Sequence, residues 1–87
     1  MKDLERILKA LANKRRLAIV RFLRKEKEAT VGDIAETIKL SFKATSKHLG
    51  VLASADIVDK EQRSLQMWYH LSHTIPPIAK HISNSLE

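Results

Sequence analysis

Cysteine is absent from this 87-residue chain, and glycine and proline occur only twice each. Without cysteine the chain has no disulfide, no thiolate nucleophile and no thiolate ligand for a metal. So little glycine and proline excludes collagen-like sequences, flexible linkers and turn-rich all-β folds. No apolar run reaches the roughly 20 residues that a membrane-spanning helix needs, and no signal-peptide pattern opens the chain. We therefore expect a cytoplasmic protein with a single domain over residues 1–87.

Positive charge is concentrated at one end of the sequence. The formal net charge is +6, and residues 1–28 hold ten basic and four acidic side chains, whereas the remainder is balanced. A basic balance of this kind is typical of small nucleic-acid-binding domains. It also keeps a small protein soluble, so charge alone does not decide between the two interpretations.

The spacing of apolar residues predicts four helices before residue 56. Asp3 caps the first, and its apolar positions recur at i, i+3, i+4 and i+7. Asn13 caps a second helix with its apolar core over residues 17–23, and residues 24–28 are interpreted as a solvated charge run. Thr30 and Ser41 cap two further helices with almost no chain between them, which predicts a helix-turn-helix.

Beyond Asp56 the apolar period changes. Residues 57–58 and 66–71 are rich in β-formers and predict a small antiparallel hairpin. Pro76-Pro77 then opens a last helix with an apolar face. The prediction is a mostly α fold with a small β-hairpin wing, a winged helix-turn-helix in the order α-α-α-α-β-β-α.

Two stretches carry a family resemblance: Leu8-Lys9-Ala10-Leu11-Ala12-Asn13-Lys14-Arg15-Arg16-Leu17-Ala18-Ile19-Val20 and Ser46-Lys47-His48-Leu49-Gly50-Val51-Leu52. With Trp68-Tyr69-His70-Leu71 and the spacing between them, residues 8–72 resemble the ArsR-type winged-helix transcriptional regulators. Three departures stand out. Thr30-Val31-Gly32 occupies the place of the Cys-x-Cys of metal-sensing relatives, Asp56 replaces a glycine after the recognition helix, and Ser64-Leu65 replaces Gly-Arg in the wing turn.

The fourth helix is the predicted recognition helix, whose N-terminal residues would meet base edges in the major groove. It has no acidic residue before Asp56, and its exposed face is opposite the apolar stripe of Thr45, Leu49 and Leu52. For Phe42 we favour packing against the preceding helix over contact with a thymine methyl group, and for His48 packing or backbone contact over base reading. The candidate DNA-binding residues are Ser41, Phe42, Lys43, Ser46, Lys47, His48, Lys60, Arg63, Lys14 and Arg15. For Arg16 we favour a structural role.

The resemblance also implies a homodimer formed by the first and last helices. The residues assigned to that interface are Ile7, Leu8, Leu11, Ile75, Ile78, Ile82 and Leu86; the alternative is that the last helix folds back onto its own subunit. A dimer would place two recognition helices roughly 34 Å apart and bind a palindromic site. His70, His73 and His81 lack the Asp-x-His spacing of metal-binding relatives and have no carboxylate partners in the pattern, so we expect no metal and no cofactor.

The leading hypothesis is a dimeric, metal-independent, sequence-specific regulator that binds double-stranded DNA and acts as a repressor. The alternative is a winged-helix module that binds a protein partner without reading DNA sequence, which Ser64, Leu65 and an exposed Phe42 would favour. An enzyme is not expected, because the sequence has no cysteine nucleophile, no glycine-rich phosphate loop and no His-Glu-x-x-His motif.

Overall fold

The computed structural model describes residues 2–86, which form five helices and a three-stranded antiparallel sheet. Met1 and Glu87, the outer limits of the predicted domain, lie outside the described residues. None of these helices is long and apolar enough to cross a bilayer. In chain order the elements are α1 (Lys2–Leu11), α2 (Lys14–Glu26), β1 (Glu28–Thr30), α3 (Val31–Ile38), α4 (Phe42–Ser54), β2 (Val58–Arg63), β3 (Gln66–Leu71) and α5 (Pro77–Ser85).

Side-chain caps begin three of the helices where the sequence predicts them. Asn13 Oδ1 accepts hydrogen bonds from the amides of Arg15 and Arg16, at 2.9 and 3.1 Å. The hydroxyls of Thr30 and Ser41 each accept from the amide three residues later, at 3.1 Å. These bonds satisfy amides that a helix leaves without a partner in its first turn. The predicted starts of α2, α3 and α4 are therefore confirmed, whereas Asp3 lies inside the first turn of α1.

The link between α3 and α4 is three residues long. Lys39 ends α3 in the left-handed region, with φ 56°, and the Leu40 amide donates to the Ala35 carbonyl at 3.0 Å. Ser41 then caps α4, so the two helices meet at a sharp angle without an intervening loop. The predicted helix-turn-helix is confirmed.

The sheet differs from the prediction by one strand. The hairpin of β2 and β3 is present, with Ser64-Leu65 as its two-residue turn, but β1 adds a third strand in the order β1-β3-β2. The interpretation of residues 24–28 as only a solvated charge run is therefore wrong at both ends. Helix α2 continues to Glu26, and Glu28 pairs with His70 in the sheet. Three residues are too short to produce an alternating pattern, so pairing with β3 rather than local sequence fixes β1.

The core lies between the helices and the inner face of the sheet. Its largest fully buried side chains, contributed by α2, α3, α4 and the start of β2, are Ile19, Leu23, Ile34, Leu49, Leu52, Ile57, Val20, Val58 and Thr45. The inner stripe predicted for α4 is confirmed, because Thr45, Leu49 and Leu52 are all 0% exposed. This burial fixes the rotation of α4 and turns its opposite face outward. Asp56 follows α4 with φ 61°, a conformation that aspartate tolerates better than most residues.

Thr45 provides a test of this packing, because its buried hydroxyl has no hydrogen-bond partner. Replacing Thr45 with valine keeps the shape and removes the unpaired polar atom, so Thr45→Val should raise the free energy of unfolding by about 1 kcal/mol. Thr45→Ser, which keeps the hydroxyl and loses a methyl group, should lower it. Urea denaturation measures both variants, and a Thr45→Val protein less stable than the wild type would contradict the assignment.

Candidate nucleic-acid interface

The outward face of α4 is basic and free of acidic side chains. Lys43 and Lys47 are exposed and lie one helical turn apart on the same face, with half-buried Ser46 beside them. No Asp or Glu occurs anywhere in the helix. The structure therefore brings three of the predicted contact residues together on one surface.

The start of α4 adds partial positive charge to this surface. Exposed Ser41 caps the first turn, and the helix dipole places positive potential at that end. Phe42, the next residue, is 63% exposed. The side chain lines a cleft with Val31 and Gly32 at the start of α3 but stays largely exposed, so the favoured packing against the preceding helix is only partial.

Arg16 connects α1 to α4. Its Nε donates to the Ala10 carbonyl at 2.6 Å, its Nη2 donates to the Lys9 carbonyl at 3.2 Å, and its Nη1 donates to Nδ1 of His48 at 3.1 Å. The favoured structural role is confirmed, although its partners are carbonyls and an imidazole rather than a carboxylate. Lys14, at the first position of α2, is exposed.

Arg15, predicted as a DNA contact, has a partner within the protein. Its Nη1 donates to the Ile38 carbonyl at 2.9 Å, at the C-terminal end of α3. The positive side chain thus satisfies one of the carbonyls that end α3. Its contact with DNA stays a prediction, but the structure gives it a role in positioning the helix-turn-helix that the sequence did not reveal.

His48 faces inward rather than toward the basic surface. The hydrogen bond from Arg16 makes Nδ1 the acceptor, so the ring is held in one orientation. Burial lowers the pKa of His48, and the positive charges of Arg16, Arg15 and Lys47 lower it further. This agrees with the expectation that His48 packs rather than reads a base.

The wing holds Arg63 in a cluster of its own. The guanidinium forms two hydrogen bonds of 2.8 Å with Glu28 and one of 3.1 Å with Glu61, and it stacks over Trp68 at 5.0 Å. These carboxylates raise the pKa of Arg63 well above its usual value, and Arg63 lowers the pKa of Glu28. The contact of Arg63 with a phosphate stays a prediction, and two carboxylates compensate its charge. Lys60 remains exposed on β2.

Glu28 and Trp68 are the residues of this cluster that sequence reasoning missed. Asp59 and Glu61 were visible beside Arg63, but Glu28 lies 35 residues away along the chain. Only the pairing of β1 with β3 brings it near. The charges of residues 24–28 did not predict that pairing.

The residues at the thiolate position of metal-sensing relatives do not fit a metal. Thr30 uses its hydroxyl to cap α3, and Val31 is buried. His70 and His73 lie close together, with ring centroids 5.1 Å apart. No group of three or more His, Cys, Asp or Glu side chains within residues 2–86 is arranged to hold a metal ion.

The predicted dimer residues divide into two groups. Ile7 and Leu11 are buried in the core of their own chain, which leaves them little surface for a second subunit, and this revises their assignment. Ile75, Ile82 and Leu86 are half-buried against the same core, and α5 packs on α1 and α2 through Ala79 and Ser83. The large apolar side chains that stay exposed on the two terminal helices are Leu4, Leu8 and Ile78, at 41%, 44% and 37%. Leu4 was not in the predicted interface.

A tight helix-turn-helix whose second helix carries a basic outer face, followed by a two-stranded wing, defines a winged helix-turn-helix protein. A family model described as bacterial regulatory protein, arsR family, matches residues 13–60. The chain belongs to this family, which consists of transcriptional regulators rather than enzymes.

Three relatives illustrate the similarity. The transcriptional activator HlyU of Vibrio cholerae is 37% identical over 68 residues, which span 78% of this chain and 62% of that relative. Its solved structure superimposes with a TM-score of 0.82 at 31% identity, covering 97% of this chain and 88% of the other. The homodimeric winged helix-turn-helix DNA-binding domain Mb0332 of Mycobacterium bovis gives 0.84 at 26% identity, with 97% and 75% covered. The transcriptional repressor PagR of Bacillus anthracis gives 0.82 at 27%, with 99% and 94% covered.

The contact between Arg16 and His48 predicts a pH dependence of stability. Burial holds the pKa of His48 below its usual value of about 6.5 in the folded protein, and the pKa returns to that value on unfolding, so the unfolded chain binds more protons as the pH falls. The stabilising contribution is present above pH 6.5 and is lost as the pH falls through the folded pKa. His48→Gln, which keeps an acceptor for Arg16, should therefore lose less stability on acidification.

Urea unfolding of both proteins between about pH 7.5 and pH 5 measures this difference. Exposed His81 supplies the control, since His81→Gln should retain the wild-type pH dependence. Identical pH dependence in the wild type and His48→Gln would show that His48 is not the responsible group.

Proposed function

We propose that this chain is a sequence-specific repressor that binds double-stranded DNA as a homodimer, without a metal, at a palindromic operator in the cytoplasm. The observation that carries this proposal is the outer face of α4, where Lys43 and Lys47 stand free of acidic neighbours beside the capped helix start. Lysines in this position neutralise phosphates and reach guanine, and the hydroxyl of Ser46 donates to either. The proposed contacts are Ser41, Phe42, Lys43, Ser46, Lys47, Lys60 and Lys14.

Residues 1–87 are proposed to act as one DNA-binding domain with α1 and α5 as dimerisation helices. Leu4 and Leu8 line an open groove of about 390 Å³ on α1, and Ile78 is exposed on α5. Small domains gain stability when such apolar side chains are covered by a second subunit. The homodimeric Mycobacterium bovis relative supports this arrangement. A two-fold dimer presents its recognition helices to two symmetric half-sites, hence the palindrome.

Repression follows from occupancy alone, because a dimer seated on a promoter blocks access to it. One similar solved structure is a repressor, PagR, while the curated relative HlyU is an activator. Metal independence is supported by the chemistry of Thr30 and Val31, which offer no ligand at the place of the Cys-x-Cys.

Fluorescence anisotropy with random duplex DNA at several salt concentrations, followed by sequencing of the retained molecules, tests the proposal. We expect affinity to fall steeply with salt and a palindromic motif to be enriched. Weak binding without enrichment would instead favour the winged-helix protein-interaction module.

Lys47→Ala should weaken binding to the selected DNA and reduce the slope of log K against log salt by about 0.9, the loss of one phosphate contact. Lys25→Ala is the matched control, since it removes the same charge from an exposed site near the C-terminal end of α2. It lies roughly 16 Å along α2 from Lys14. Unchanged affinity and slope for Lys47→Ala would remove Lys47 from the contact surface.

Ile78→Glu should convert the dimer to monomers, because it places a charge in the apolar interface. Sedimentation velocity measures the change. Asn84→Glu adds a charge at an exposed position of the same helix and should leave the dimer intact. If the Ile78→Glu variant still forms a dimer, the interface lies elsewhere.

A further inference from the structure

Within residues 2–86, the two most exposed large hydrophobic side chains line the same cleft. Phe42 is 63% exposed at the first position of α4, and Leu65 is 96% exposed in the wing turn. The cleft has a volume of about 220 Å³, and its other lining residues are Thr30, Val31, Gly32, Gln66 and Met67. Single exposed apolar residues need no explanation, but two that converge on one cleft mark a contact site.

The helix that begins at Phe42 carries only positive charge, which favours a negatively charged partner. Lys43 follows Phe42 directly, Lys47 lies one turn further along α4, and no carboxylate interrupts this helix. The only ionisable side chains on α4 are therefore those two lysines and His48. A suitable partner would therefore place an apolar group against Phe42 and negative charge near the two lysines.

At its turn, the wing presents an apolar side chain rather than a free cation. Arg63, the cation nearest the turn in sequence, is engaged by Glu28 and Glu61 and stacks over Trp68. These two carboxylates compensate the charge of its guanidinium. Leu65, at the turn itself, is apolar and lines the same cleft as Phe42.

We infer that Phe42 and Leu65 together form a cleft that reads thymine through its C5-methyl group. That methyl is the apolar group that base edges present in the major groove, and it lies among the phosphates that the lysines would neutralise. The N-terminal residues of a recognition helix are the ones that approach base edges. This inference rests on the proposed DNA binding and names one feature of the sequence that is read.

Exchange of thymine for deoxyuridine tests the inference, because it removes the methyl group and leaves the hydrogen-bonding groups unchanged. Each thymine of the selected DNA is exchanged in turn, and affinity is measured by fluorescence anisotropy. For the wild type we expect about a fourfold loss for each methyl group that the cleft contacts. Phe42→Ala and Leu65→Ala should bind thymine and deoxyuridine equally at those positions, with an unchanged salt slope since no phosphate contact is lost.

Two comparisons sharpen the result. Phe42→Leu keeps an apolar surface and should retain part of the discrimination between thymine and deoxyuridine. Lys47→Ala should reduce the salt slope by about 0.9 and retain the whole of that discrimination. Both cleft residues are exposed, so their variants should fold as the wild type does.

Sequence-specific binding that is insensitive to deoxyuridine, or a loss of equal size in the wild type and both alanine variants, would overturn the cleft while leaving the proposed function intact. Failure of the wild type to select any DNA would overturn both. A hydrophobic protein segment would then be the occupant to test on Phe42 and Leu65.

Discussion

Hydrogen bonds from two adjacent arginines at the start of α2 position the rest of the domain. Asn13 caps this helix and fixes the direction in which both side chains leave it. Arg15 reaches the last carbonyl of α3, and Arg16 reaches two carbonyls of α1 and the ring of His48 in α4. These two side chains thus connect α2 to α1, α3 and α4, and they contact both helices of the helix-turn-helix. The buried stripe of α4 is apolar apart from Thr45, so packing of this stripe fixes the rotation of the helix about its axis. The hydrogen bonds of the arginines fix the position of the helix.

The wing is stabilised by a different kind of contact. Glu28 in β1 and Glu61 in β2 hold Arg63 from both sides of β3, over the ring of Trp68. All of these groups are exposed to solvent, so salt screens their attraction, and backbone pairing supplies the larger part of the order. The cluster uses the cation nearest the wing turn for structure. The lysines of α4 form no ion pair within residues 2–86, which separates the charge that holds the fold from the charge that faces outward.

Local patterns explain which parts of the structure the sequence predicted. Caps at Asn13, Thr30 and Ser41 and the apolar stripe of α4 depend on residues within a few positions of one another, and each was predicted correctly. Strand β1 and the contact between Glu28 and Arg63 depend on pairing across 35 residues, which no local pattern encodes. The same holds for Arg15 and Ile38, 23 residues apart. The order of elements followed from the apolar spacing, and the family resemblance agreed with it but carried no information on residues that depart from the family, such as Leu65.

The two glycines do not occupy the backbone positions that favour glycine. Both glycines lie inside helices, Gly32 in α3 and Gly50 in α4, and a Cβ atom at Gly50 would meet no atom within 4 Å. The left-handed positions found in residues 2–86 all hold side chains instead, at Lys27, Lys39, Asp56 and Ser64. Each mismatch costs roughly 1 kcal/mol, in the helix through backbone entropy and at the turns through steric strain. The domain could therefore be made more thermostable by replacing the glycines inside the helices and by introducing glycine at the left-handed positions. No core side chain would have to change.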